Sequence, residues 1–273
     1  MTILKSKLGW KFATGVLGAA VVIGTFVTTA VAMDWGKFQV EDRRSGYTYM
    51  TNATRGVQDD DFENPGMLWV ENGEGLWSTK MGSAGKSCAS CHADASKDMK
   101  GVAPSYPKYN KKLGKMENLE QVINRHLVNS MGAKALKFDS KTMLSLTTYI
   151  GNISSGMPVN VKVDGSAAPF FAKGKAFYFK RRGQLDLACS HCHVDNPGKL
   201  IRANTLSEGQ INGFPTYRLK WQKPGSVHRR FKGCNKNVRA KPYKVGSDEY
   251  TNLELYVKWR GRGLPTETPA VRN

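Results

Sequence analysis

Two stretches of this 273-residue chain set a pair of thiols and an imidazole at fixed spacing. They are Cys88-Ala89-Ser90-Cys91-His92 and Cys189-Ser190-His191-Cys192-His193. In C-x-x-C-H the thiols stand one helical turn apart and can add to the two vinyl groups of a haem. The adjacent imidazole then reaches the iron. A C-x-x-C redox pair or half of a zinc site does not require His directly after the second Cys, and no other C-x-x-C completes a zinc set. The sequence therefore predicts two covalently attached c-type haems. Cys88, Cys91, Cys189 and Cys192 hold them, with His92 and His193 as proximal ligands.

The elements around the two motifs repeat. Trp77 and Tyr178 each stand 11 residues before the first motif cysteine, on helix patterns spanning 65–80 and 169–182, with Gly75 and Gly174 close by. Asn64-Pro65 supplies a cap and a first-turn Pro for the first of these helices. Downstream, Ser105-Tyr106-Pro107-Lys108-Tyr109 resembles Gly213-Phe214-Pro215-Thr216-Tyr217. Each half closes with an amphipathic helix, one from Ser140 to Ile150 and one from Ser247 to Arg260. Each begins at a capping Ser and stops at a Gly. The expected fold is all-α: two tandem cytochrome c-like haem domains related by internal duplication, 33–160 and 161–273. A linker rich in small residues and Pro joins them.

The repeat also suggests the distal iron ligands. Pro107 to His126 and Pro215 to Cys234 are both 19 residues. His126 shares a helical stripe with Leu119, Val122, Ile123 and Leu127, which puts it on a buried face. A Met would be the other familiar ligand, and Met99, Met116 and Met131 are the competitors. Cys234, the fifth cysteine, has no free partner for an intramolecular disulfide. It lies in a basic run, His228 to Lys236, and nearby cations favour the thiolate that binds metal and attacks electrophiles. His228 is the alternative ligand for the second haem. His191, inside the attachment loop, reads as a filler.

Composition narrows the partners. Lys+Arg 41 against Asp+Glu 22 gives a net charge of +19, with 40% hydrophobic residues. That supports a packed core and an acidic or anionic partner. Residues 2–11 are basic, 12–33 carry no charge, and Ala30-Val31-Ala32 offers an A-x-A cleavage pattern. The expectation is a signal peptide over 1–32 and a mature chain in the periplasm, with no stable membrane insertion after cleavage. Cleavage removes three lysines and no acid from the +19, leaving +16. An exported protein is not expected to bind nucleic acid.

The chain resembles the SoxA family, the dihaem subunits of SoxAX complexes of bacterial thiosulfate oxidation. The resemblance spans nearly all of 40–262. It is carried by Ser45-Gly46-Tyr47, by the stretch Gln58 to Val70, by both C-x-x-C-H motifs, by Arg230-Phe231-Lys232-Gly233-Cys234 and by Val238 to Tyr243. It implies an L-cysteine S-thiosulfotransferase: thiosulfate is oxidatively joined to a cysteine of the SoxYZ carrier, and two electrons leave to the SoxX cytochrome. It further implies that Cys234 is the distal ligand of the active-site haem and can carry a persulfide, with Arg230 beside it as a catalytic residue. Many members have Cys as distal ligand at the first haem too. This chain has His126 there, so its first haem is expected to be His92/His126 and its second His193/Cys234. Arg229, Arg218 and Lys220 are expected to add field without touching substrate. Two other readings are a thiosulfate dehydrogenase forming tetrathionate and a non-enzymatic dihaem electron carrier.

Overall fold

The structure is a computed structural model that describes residues 35–273, so the expected signal peptide lies outside the described residues. In the first half the elements are β1 (Gln39–Val40), β2 (Arg43–Arg44), α1 (Asn52–Asp59), α2 (Met67–Ser78), α3 (Ala95–Asp98), β3 (Lys108–Asn110), β4 (Lys115–Glu117), α4 (Leu119–Met131) and α5 (Lys141–Ile153). The second half holds α6 (Ala168–Phe179), α7 (Cys189–His193), β5 (Leu200–Ile201), β6 (Asn204–Thr205), β7 (Thr216–Arg218), β8 (Lys223–Gly225), α8 (Val227–Asn237), α9 (Asp248–Arg260) and β9 (Ala270–Arg272). The chain is mostly helical, but all-α is too simple. Antiparallel hairpins β3–β4 and β7–β8 follow cis Tyr106-Pro107 and cis Phe214-Pro215.

Six of the nine α-helices among the described residues start where an N-cap side chain satisfies an orphan N–H group. α2 does not, since it starts after Gly66 and not at the expected Asn64-Pro65, whose Asn side chain instead accepts from Gly66 N–H. The Asn118 side chain accepts from Gln121 N–H, and Gln121 accepts in return from Asn118 N–H, fixing the start of α4. Ser226 accepts from Arg229 N–H at the start of α8. Ser140 and Ser247 cap α5 and α9 in the same way.

In each half a glycine lets two helices cross closely. A Cβ on Gly73 of α2 would lie 2.3 Å from the Ser145 carbonyl oxygen and 2.5 Å from Tyr149 Cβ. On Gly174 of α6 it would lie 2.0 Å from the Asn252 carbonyl oxygen and 3.0 Å from Tyr256 Cβ. The sequence reading associated Gly75 with Gly174. The structure gives that role to Gly73, which precedes Gly174 by the same 101 residues that separate Cys88 from Cys189. Gly75 faces open space.

One apolar cluster lies under each motif. Trp77, Ala95, Met99, Leu146 and Ile150 pack with Cys88, while Tyr178, Val227, Phe231, Tyr250 and Tyr256 pack with Cys189. Fully burying each such large side chain contributes about 1.5–3 kcal/mol. The described residues form one compact unit, and contacts cross the expected boundary at 160/161. Asn118 donates to Glu254, Asp139 accepts from Ser226 N–H, and Phe138 stacks on His228. After α9 the chain returns as β9, parallel to β7, and meets the N-terminal segment: the Asn64 side chain donates to the Pro269 carbonyl. No helix among the described residues is long and apolar enough to cross a membrane.

Candidate functional site

At the first motif, Ser87 caps the short turn that carries Cys88, with reciprocal hydrogen bonds between Ser87 and Ser90. The Trp77 indole N–H donates to the His92 carbonyl at 3.1 Å. Helix α4 brings His126 across from His92. Their ring centroids are 6.5 Å apart, with planes at 81°. A metal held about 2.0–2.1 Å from one nitrogen of each ring would separate the centroids by close to that distance, so the pair fits an iron between them. Burial lowers the His126 pKa, as do Arg125 and His92, which keeps a lone pair available on the ring. The Met candidates are core residues. Met99 packs with Trp77 and Ala95, Met116 with Val161 and Leu255, and Met131 is buried at the last turn of α4.

At the second motif, α7 presents Cys189, Cys192 and His193. The His191 ring accepts from Ala188 N–H at 2.8 Å and so closes the start of this helix, the filler role expected of it. His193 Nδ1 lies 2.7 Å from the Ser207 carbonyl oxygen. Because a carbonyl only accepts, Nδ1 is the donor in this hydrogen bond, and Nε2 is the ring nitrogen that would be offered to a metal. Gly209 lies against this ring at φ +75°, and a Cβ there would meet His193 Cγ at 2.7 Å.

Helix α8 brings Cys234 to this histidine. The His193 ring is within hydrogen-bond reach of the thiol. Burial alone would raise the Cys234 pKa. Arg230, the His193 hydrogen bond and Arg218 outweigh it and bring the thiol down to about 7. Burial and the neighbouring Cys234 push Cys189 up to about 12, and Cys192 moves the same way. Three sulfurs thus share one region, and only Cys234 is set up as a thiolate near neutral pH. The donor set of a soft cysteine sulfur and a histidine nitrogen suits a haem iron.

The sequence reading gave Arg218, Arg229 and Lys220 the same weight, and the structure separates them. Arg218, on β7, lies close enough to Cys234 and Arg230 to share their field. Burial, then Arg230, lowers its pKa to about 10. Its Nε donates to the Asn273 carbonyl at 2.6 Å, and its guanidinium lies 4.9 Å from the Trp221 ring. Arg229 lies over the same ring at 4.2 Å. Lys220 is exposed. His228, the alternative ligand, is fully buried elsewhere. Its Nδ1 accepts from Gly246 N–H at 3.0 Å, and its Nε2 lies 3.0 Å from Glu254. It is therefore committed to the core. Sequence reasoning missed Glu208, Arg44 and Tyr49, which converge on the loop holding His193. They are up to 164 residues apart in the chain, with no spacing pattern to connect them.

A family model described as SoxA/TsdA, cytochrome c domain, matches residues 72–159. The chain is 47% identical over 247 residues to the L-cysteine S-thiosulfotransferase subunit SoxA of Pseudaminobacter salicylatoxidans, covering 90% of this chain and 86% of that one. It is 44% identical over 233 residues to the protein of the same description from Rhodovulum sulfidophilum, covering 85% and 81%. It also resembles a chain in the crystal structure of SoxXA from P. pantotrophus, with TM-score 0.82 and 42% identity. That match covers 85% of this chain and 87% of the other.

Proposed function

The chain belongs to the SoxA family of L-cysteine S-thiosulfotransferase subunits, and from that premise we propose that it joins thiosulfate oxidatively to a carrier-protein cysteine at the Cys234 site. The observation that carries this reading is the meeting of Cys234 with His193, Arg230 and Arg218. In the reaction the carrier's S–H bond breaks and a bond forms between its sulfur and the outer sulfur of thiosulfate. One proton and two electrons are released, and the product is a cysteine S-thiosulfonate. The two c-type haems, held by Cys88/Cys91 and Cys189/Cys192, supply one-electron acceptors when attached.

The residues divide the work. Arg230 binds the thiosulfate dianion through paired, charge-assisted hydrogen bonds. Arg218 adds a second cation, so that the two guanidiniums balance the Cys234 thiolate with one positive charge left for the anion. His193 and Cys234 would hold the iron of the second haem, and His92 and His126 that of the first. Cys234 sulfur, as thiolate or persulfide, orients the outer sulfur of the substrate. The matched contacts of Gly73 and Gly174, and the matched hairpins, support two cytochrome c-like halves related by duplication, over 33–160 and 161–273. The leader over 1–32 is read as an export signal, with the mature chain in the periplasm. The electron acceptor is a SoxX-type cytochrome and the carrier a SoxYZ-type protein.

The test is Cys234→Ala in the purified complex with its cytochrome partner, supplied with carrier and thiosulfate. Loss of carrier conjugation by at least 100-fold is expected. Full conjugation would overturn the assignment, and free tetrathionate formed without carrier would favour the dehydrogenase reading.

A further inference from the structure

The loop from Ser207 to Gln210 has no regular secondary structure, yet its Ser207 carbonyl holds the His193 ring. A backbone carbonyl in an irregular loop is a poor anchor unless something else fixes the loop. Here the fixing comes from the far end of the chain. The Glu208 carboxylate accepts from Arg44 N–H at 2.9 Å, from Arg44 Nε at 3.3 Å and from the Tyr49 hydroxyl at 2.9 Å. Gln210 Nε2 adds a fourth contact at 3.3 Å. The Tyr49 hydroxyl also accepts from Arg44 Nη2, so the three side chains form a closed set. On the other side of the loop, Arg260 Nη1 donates to the Glu208 carbonyl at 2.9 Å and to the Tyr178 hydroxyl.

The first motif lacks this arrangement. His92 Nδ1 faces the Asp98 carboxylate at 4.0 Å, beyond hydrogen-bond distance, and both side chains are about two-fifths exposed. Only the second histidine has its Nδ1–H tied to a carbonyl that is itself held.

We infer that Arg44 and Tyr49 are positioning residues that act through Glu208 on the Ser207 carbonyl and so set the reduction potential of the second haem alone. The inference rests on the proposed role of His193 as an iron ligand. An imidazole whose Nδ1–H is firmly hydrogen-bonded is a more basic ligand at Nε2 and favours the ferric state. Loosening the clamp weakens that bond and shifts the balance toward the ferrous state, so the potential rises. The sign separates this from a simple charge effect. Removing the Arg44 cation would by Coulomb's law alone favour the ferric state and lower the potential.

The experiment is a spectroelectrochemical titration of the haem-loaded complex, with EPR to resolve the two haems. It compares wild type with Tyr49→Phe, which changes no charge, and with Arg44→Met. Both variants should shift the ferric–ferrous equilibrium of the second haem about tenfold toward ferrous, which is about 59 mV upward for one electron. The first haem should stay put, and the thermal melt keeps a folding defect from passing as the effect. An unchanged second potential in Tyr49→Phe, or a fall in Arg44→Met, overturns the clamp. The underlying ligand assignment is checked separately by His193→Ala. If that variant keeps the second low-spin EPR signal, the ligand reading fails, whatever the clamp variants do.

Discussion

At the scale of single residues, spacing displays candidate attachment chemistry and is blind to charge placement. Two C-x-x-C-H motifs and an unpaired fifth cysteine are visible because covalent chemistry demands fixed intervals. Arg218 was indistinguishable from its basic neighbours because a guanidinium's role depends on where β7 carries it. The structure sets the half-buried Arg218 and Arg230 together beside one thiol, against the repulsion of two like charges. With the thiolate balanced by one of them, the other leaves a net positive charge for the thiosulfate anion. Arg218→Met should therefore raise the KM for thiosulfate about tenfold, with a smaller effect on kcat. That is the loss of roughly 1.4 kcal/mol, near the low end for a hydrogen bond to a charged group. Steady-state kinetics of carrier conjugation check this. An unchanged KM would return Arg218 to the role of a solvated surface charge.

At the scale of elements, the serine caps of α5, α8 and α9 were legible, and the start of α2, the end of α5 and the helix contacts were not. Ser140 and Ser247 follow local rules that a single sequence displays, and α9 does end at Gly261. But α5 runs through the expected stop at Gly151 to Ile153, because its buried packing outweighs the cost of one helical glycine. The choice between Gly73 and Gly75 depends on which face of α2 meets α5, and that requires the partner helix. The two glycines make opposite predictions. Gly174→Ala and Gly73→Ala each force a Cβ to within 2.3 Å of a backbone carbonyl oxygen. Overpacking of this kind costs roughly 1–3 kcal/mol beyond the gain from a better helix former. The melting temperature should fall by about 4–8 °C for a 2 kcal/mol loss. Gly75→Ala meets no atom and lies inside α2, so it should gain up to about 1 kcal/mol from helix propensity. Thermal melts of the three variants decide the matter, and a stabilised Gly174→Ala would contradict the close crossing.

At the scale of the whole molecule, the halves are joined by charge buried between them. Glu120 at the start of α4, His228 of α8, and Glu254 and Lys258 of α9 are all buried, and a cavity of about 40 Å³ opens among Glu120, Glu254 and Lys258. The sequence shows Glu120, Glu254 and Lys258 only as ordinary helix members and offers His228 as an iron ligand, since their shared burial comes from packing one half on the other. Asn118 donates to Glu254, and His228 Nε2 approaches the same carboxyl at 3.0 Å. Glu120 is left to bear the cost. Burial, then the charge on Glu254, pushes its carboxyl from the ordinary 4.5 up to about 7, with His228 opposing. A pKa raised by folding means that the native state binds the extra proton. Its contribution to stability is fully present below pH 4.5 and is lost as pH rises through about 7. The loss is on the order of 3 kcal/mol at most. Glu120→Gln mimics the protonated side chain and has nothing to lose. It should match wild type in denaturant unfolding at pH 4.5 and be the more stable protein at pH 8. If the two proteins show the same pH slope between those limits, the proton is not held at Glu120, and the cluster keeps its charges paired at every pH.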